Sequence, residues 1–311
     1  MKKLILRSIT VIIILMAVSV PFFVQAQSKP LIVASTTDIA SIAQAIAGDN
    51  LEVISMLQGG DNPTYLAPDL ASQLRAQHAV LYLKNGFGLE DNWEKAWWDG
   101  VNNPLITPDS EAVQLVTAGI TPKPSKVDDP EATPIHYKDA NPFVWLDPAN
   151  SIKIINNIYE ILGNKFPDFK EDMNTNRKRY IKEFQNDIDI WKKRCEAYKG
   201  VRIAAYNHNL DYFTDSFGLN VVEYVEPAAG VAPGRKRIAS LMDSIKNNGI
   251  KLMLVPDYVS LRLPKQFQEE TGIKLVIVPT SCGGSWAKEY NQLFPCIVSE
   301  IHKTIQVQDN Q

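Results

Sequence analysis

The sequence predicts an α/β protein of two lobes, each a parallel sheet covered by helices, joined by one long rigid helix. Three observations predict it. Strand, polar turn and helix alternate from Lys29 to Val116; the same alternation restarts at Val201; and between them Asp168 to Lys199 reads as one uninterrupted helical stretch. The expected organisation is an export leader over 1–26, an N-terminal lobe over 27–166, the connecting helix over 167–200 and a C-terminal lobe over 201–311.

The long helix rests on spacing. Phe169, Met173, Tyr180, Phe184, Ile188, Trp191, Cys195 and Tyr198 recur in steps of three, four or seven, one face of a 3.6-residue period, while the other positions are mostly charged or amide residues. Pro167 blocks continuation from upstream, Asp168 with Glu171 has the form of a capping box, and Gly200 supplies a left-handed exit. At ~1.5 Å per residue the helix would run roughly 45–50 Å, more than a small domain is wide, so it is expected to connect two lobes. The alternative is a long surface helix within one domain.

Before it, Lys29 to Thr36, Leu51 to Leu57 and Ala79 to Leu83 read as strands, with helices over Ile39 to Ala47, Asp69 to Gln77 and Leu89 to Trp98. Short further runs begin at Leu105 and Val113. Residues 121–142, with five prolines and several charges, break the rhythm and form a long loop of the kind that is functional or mobile. After a helix over Ser151 to Lys165 and the connector, strands are expected at Val201 to Ala205, Asn220 to Val225, Leu252 to Val255 and Leu275 to Val278. Helices follow at Tyr212 to Phe217, Ile238 to Asn247, Lys265 to Thr271 and Tyr290 to His302.

The 311 residues are 45% hydrophobic and 22% charged, enough apolar material for two cores, and a net charge of -3 gives no electrostatic footprint for nucleic acid or an anionic membrane. Lys2, Lys3 and Arg7, an apolar run to Val24 and the small Ala26 read as a cleaved leader ending before Gln27, the rival being an uncleaved anchor. No cysteine stands near that point, so no lipid anchor is expected, and the mature chain is read as periplasmic and monomeric. Cys195 falls on the apolar face of the long helix, and Cys282 and Cys296 could pair.

In open α/β sheets, ligands bind beyond the carboxyl ends of the strands. Two facing lobes would place around one cleft the loops Asp61 to Tyr65, Ala140 to Asp147, Tyr206 to Asp211 and Pro279 to Gly284. These loops carry a resemblance. Gly60-Asp61-Asn62-Pro63-Thr64-Tyr65 with Pro68, Tyr82 to Glu90 before Trp93, Asn141 to Pro148, and Tyr212-Phe213 before Phe217-Gly218-Leu219 stand in order and at matching spacing. The mature chain thereby resembles the zinc- and manganese-type solute-binding proteins of ABC importers. The resemblance implies two lobes on one long helix, a metal ion held between them, and delivery to a membrane permease driven by an ATPase.

The ligand positions depart from that pattern. Where the family has metal-binding histidines in the first two loops, this chain has Pro63 and Phe143; the third position is Asn207, with His208 next to it; and the fourth loop, Val278 to Cys282, has no carboxylate. Neither Pro63 nor Phe143 offers a side-chain donor, so the inherited site cannot form as such. The expected cleft is Asn62, Pro63, Tyr65, Phe143, Asn207, His208, Thr280 and Ser281. It suits either a small organic solute or a rebuilt metal site on His208 and Cys282, for zinc, manganese or copper as transported ligand. Arg235 and Arg262 are candidates for gripping an anionic group, and His136 for a solvated loop residue. A cysteine-dependent enzyme using Cys282 and His208 lacks a third orienting group, and an exported adhesin or structural protein is the remaining alternative.

Overall fold

The computed structural model describes residues 28–65 and 69–309. The basic start and apolar run assigned to the leader, and Pro68, lie outside them. The N-terminal sheet consists of β1 (Leu31–Ala34), β2 (Glu52–Ser55), β3 (Ala79–Lys84) and β4 (Val113–Leu115), in the order β2-β1-β3-β4 and all parallel. The second sheet, β5 (Arg202–Ala205), β6 (Asn220–Tyr224), β7 (Leu252–Pro256) and β8 (Lys274–Val278), repeats that order as β6-β5-β7-β8. The central strands read as unbroken apolar runs because helices cover both faces. In each sheet the order reverses beside the first strand, and the loops leaving that point are the ones that can reach a ligand.

The N-terminal lobe carries α1 (Thr37–Ala47), α2 (Leu70–Ala76), α3 (Glu94–Val101) and α4 (Pro148–Lys165). Thr36, Asp69 and Asp147 cap α1, α2 and α4 by accepting backbone N–H groups, and Pro148 adds a preset first turn. The helix expected from Leu89 begins only at Glu94. Gly86, Phe87 and Gly88 all have positive φ, and the Glu90 carboxylate takes the N–H groups of Asn85 and Gly86 at 2.8 and 2.9 Å, so this stretch winds as a turn. No strand forms at Leu105, which is 60% exposed.

The connecting helix α5 covers Lys170–Glu196, 27 residues, or about 40 Å. A 3-10 turn, Pro167–Phe169, leads into it and no side chain caps it, so the expected capping box at Asp168 does not form. Gly200 does take the left-handed exit, at φ 83°. The C-terminal lobe adds α6 (Asp211–Ser216), α7 (Arg235–Asn247), α8 (Arg262–Thr271) and α9 (Leu293–Asp309). The apolar face of α5 packs on both lobes: Asn176 bonds the Ile46 carbonyl of α1, Trp191 stacks on Phe294 of α9 and Phe184 meets that ring edge-to-face. One continuous core therefore runs from Ile32 through Phe184 to Val298.

The lobes also meet directly. The Cys282 N–H donates to Asp38 at 2.9 Å, Trp145 Nε1 donates to the Thr280 carbonyl at 2.9 Å, and a Cβ on Gly59 would fall 1.9 Å from the Gly284 nitrogen. On the other side, residues 121–142 cross to the C-terminal lobe as a strap. The N–H groups of Lys123, Asp128 and Ile135 donate to Tyr212 Oη, the Pro227 carbonyl and the Ala229 carbonyl at 2.6, 2.7 and 2.9 Å.

Candidate solute site between the lobes

Beyond the carboxyl ends of the strands lies a cavity of about 220 Å³. Asn62 and Thr64 reach it from the loop after β2, His136 and Tyr137 from the strap, and Asn207 and Asn209 from the loop after β5. Glu226 and Gly230 close it after β6, and Tyr258 after β7. Both lobes and the strap thus contribute one wall each.

Local hydrogen bonds fix these side chains. Asn62 Oδ1 accepts from the Thr64 N–H at 3.1 Å and the Thr64 hydroxyl at 2.8 Å, an Asx turn that positions the whole loop. Asn207 caps the 3-10 turn His208–Leu210 by accepting the Asn209 N–H at 3.3 Å. Asn209 is held between two phenols, its Oδ1 accepting from Tyr137 and its Nδ2 donating to Tyr258. Each amide oxygen is therefore engaged by protein.

Besides the Tyr137 and Tyr258 phenols, two titratable groups stand in the wall. Burial pushes the Glu226 carboxyl up to about 7, a rise held in check by the Gly230 N–H, the Asn207 side chain and the charge on His208. Glu226 forms no ion pair among the described residues; the cations of this region serve Asp128 and Asp211 instead. His136 is kept below its ordinary value by burial, so it is neutral at pH 7. Asn92 Nδ2 lies 3.3 Å from the Thr64 carbonyl and 2.9 Å from His136 Nδ1. A carbonyl only accepts, so this Asn92 atom is the amide nitrogen, His136 Nδ1 is an acceptor, and the imidazole proton sits on Nε2. Gly230 makes room for that ring: a Cβ there would lie 2.7 Å from Nε2, and its φ is +76°.

His208 sits behind this wall, 4% exposed. Its Nδ1 faces Asp211 and its Nε2 faces Asp128, each at 3.0 Å, while Lys126 and Arg237 pair with the same two carboxylates at 2.9 and 3.5 Å. Burial alone would lower the imidazole, but the hydrogen bonds to Asp128 and Asp211 hold it above its ordinary value. His208 is thus the pin of the strap, and both ring nitrogens are occupied.

The residues of the sequence-derived cleft fall in different places. Asn62 and Asn207 line the cavity. Pro63 is buried and contributes its carbonyl to Trp93 Nε1 at 3.2 Å, and Tyr65 is 65% exposed, away from the cavity wall. Phe143 is fully buried against Tyr137 and Trp145, because a phenyl ring with no polar atom gains most from the core. Thr280 and Ser281 are buried at the contact between the lobes. His208 and Cys282 do not form a donor pair: Cys282 meets Asp38 and the Thr37 carbonyl, and shares no partner with His208. Among the described residues no group of three or more His, Cys, Asp or Glu is arranged to hold a metal ion. Cys282 and Cys296 are both free, Cys296 bonding the Trp286 carbonyl. Arg235 and Arg262 are exposed and line no part of the cavity, whereas His136, expected in solvent, lines it. Tyr137, Asn209, Glu226 and Tyr258 escaped the sequence reading. Glu226 had a usable signal, since it stands one residue beyond the strand predicted to end at Val225.

The sequence matches the family described as ZnuA, zinc-uptake complex component A, periplasmic, over residues 32–304. It is 23% identical over 251 residues to the zinc-binding lipoprotein AdcA of Streptococcus pneumoniae, covering 80% of this chain and 50% of that one. The chain thus spans about half the length of such relatives. It is 27% identical over 244 residues to the iron-binding protein YfeA of Yersinia pestis, covering 78% of this chain and 74% of that one. Among solved structures, the Mn-bound periplasmic metal-binding protein of Candidatus Liberibacter asiaticus superposes with a TM-score of 0.73 at 22% identity, covering 89% of this chain and all of that one. A crystal structure of ZnuA gives 0.74 at 18% identity, covering 89% and 99%. At these identities the structural likenesses establish the fold.

Proposed function

The chain belongs to the family of periplasmic zinc-uptake components, and from that premise we propose that it captures a small solute between its lobes and hands it to an ABC permease driven by an ATPase. The export leader at 1–26 and a periplasmic location are part of the same reading. The observation that carries it is the interlobe cavity, whose wall offers amides, phenols, one carboxylate and a neutral imidazole and, among the described residues, no cluster of metal ligands. This supports an organic, hydrogen-bonding solute over a bare transition-metal ion. AdcA is described as zinc-binding and YfeA as iron-binding; the Pro63 and Phe143 positions are where this chain departs from the family's ligand pattern. An enzyme built on Cys282 gains no support, since burial and the nearby Asp38 carboxylate push its thiol far up and leave no thiolate to attack.

Capture in this reading is a modest motion. The lobes share one core along α5, so the strap and the loops around the cavity yield before the helix does. The test is elemental analysis with a native mass spectrum of protein purified from the periplasm. An extra organic mass without stoichiometric metal is expected. One zinc or manganese ion per chain that survives dialysis would overturn the organic reading.

A further inference from the structure

Resting on that reading, the polarity of the cavity wall narrows the class of solute. We propose that the cavity takes a small amine that also carries a neutral oxygen function, an amino alcohol in chemical class, with its ammonium group on Glu226. Four observations lead there.

The first is charge. Glu226 is the one carboxylate in the wall, it has no ion-pair partner among the described residues, and the Lys126 and Arg237 cations behind it are spent on Asp211 and Asp128. A buried carboxyl with no ion-pair partner is poised between its neutral and charged forms, and an ammonium group would fix the charged form with a charge-assisted hydrogen bond.

The second is the direction of the neutral groups. The oxygens of Asn62, Asn207 and Asn209 all accept from protein donors. The Asn62 NH2 donates to no protein acceptor among the described residues, and His136 Nε2–H stands on the neighbouring wall. The wall therefore pairs a carboxylate acceptor with N–H donors, and a matching solute has donors at one end and an oxygen acceptor at the other.

The third is what the wall lacks. Among the described residues no Lys or Arg lines it, so a solute carboxylate would meet no lysine or arginine there, which disfavours zwitterionic amino acids. The same proton on His136 Nε2 denies a metal ion the lone pair it would need there. The fourth is size: about 220 Å³ lies below the ~300–1,000 Å³ of sites for drug-sized ligands.

The test is calorimetric titration of the exported chain, freed of co-purified solute, with ethanolamine, glycine, glycerol and zinc sulfate. Ethanolamine is expected to bind one per chain and glycine at least about tenfold more weakly. Glu226→Gln should weaken ethanolamine by about 10–100-fold; if that variant does not fold, Glu226→Ala carries the same test and Asn62→Ala, which leaves Glu226 in place, tests the donor side of the wall. Ethanolamine binding unchanged in Glu226→Gln, or no heat with ethanolamine up to millimolar concentration, overturns the proposal. Glycerol binding in preference to ethanolamine overturns the amine while leaving solute capture standing. One zinc per chain, with no organic ligand, overturns both.

Discussion

Phe143 is a packing residue at a position where the family resemblance expects a ligand. It stands where the family resemblance places a metal-binding histidine, and it is fully buried beside Tyr137 and Trp145 at ring distances of 6.0 and 4.9 Å. Restoring the histidine would put an imidazole with no polar partner into an apolar pocket. Phe143→His is expected to lower the unfolding free energy by about 2–4 kcal/mol and to bind no zinc. Urea denaturation and a zinc titration check both, and stoichiometric zinc uptake by this variant would sink the account.

His208 lends itself to a pH test, because its role is set by its neighbours. Asp128, Asp211, Lys126, Arg237 and, at longer range, Glu226 are the charges around it. Its folded value is raised, so its contribution is fully present below about 6.5, the usual value in an unfolded chain, and is lost as pH rises through the folded value. Asp211 is lowered against the pull of burial by His208, Lys126 and Tyr224. Its share is present above about 3.9 and lost as pH falls through its depressed value. The strap is therefore most firmly pinned between roughly 4 and 6.5. Hydrogen exchange at the Asp128 and Ile135 amides, corrected for intrinsic rate, should lose protection from pH 6 to 8, and His208→Gln should flatten that dependence.

Among elements, the two loops that touch across the lobes are set by absent side chains. Gly59 and Gly284 pack backbone to backbone, and a Cβ on Gly59 would overlap the Gly284 nitrogen at 1.9 Å. Gly59→Ala is expected to cost about 1–3 kcal/mol and to push these loops apart. A thermal transition unchanged from the parent would contradict the contact. The long helix α5 carries the opposite kind of coupling, through large side chains. Trp191→Ala, which removes a ring stacked on Phe294 at 5.6 Å, should cost about 3–5 kcal/mol.

For the whole molecule, the shared core makes both lobes one cooperative unit. Trp191→Ala should accordingly lower a single transition seen by calorimetry, and two separated transitions would show that the lobes unfold independently. The same continuity limits motion. Solution scattering with and without ethanolamine should give nearly the same radius of gyration, whereas a wide closing motion would require α5 to bend.

The sequence by itself determined the periodic features. Strand alternation, the Gly200 exit and the apolar face of α5 are local patterns, written in residues a few positions apart. They sufficed for two parallel sheets on one long helix. Only the tertiary structure decided which polar groups face the cavity. Glu226, His136, Tyr137 and Asn209 are brought together from separate loops; Glu226 alone carried a local signal, its place just beyond a predicted strand, and nothing in the spacing of the others distinguishes them from Pro63, Tyr65 or His208. Phe143 turned inward because burial favours its ring, and His208 because two carboxylates far apart in the chain claimed both its nitrogens. Those choices depend on what lies opposite once the chain has closed, and local pattern does not encode that.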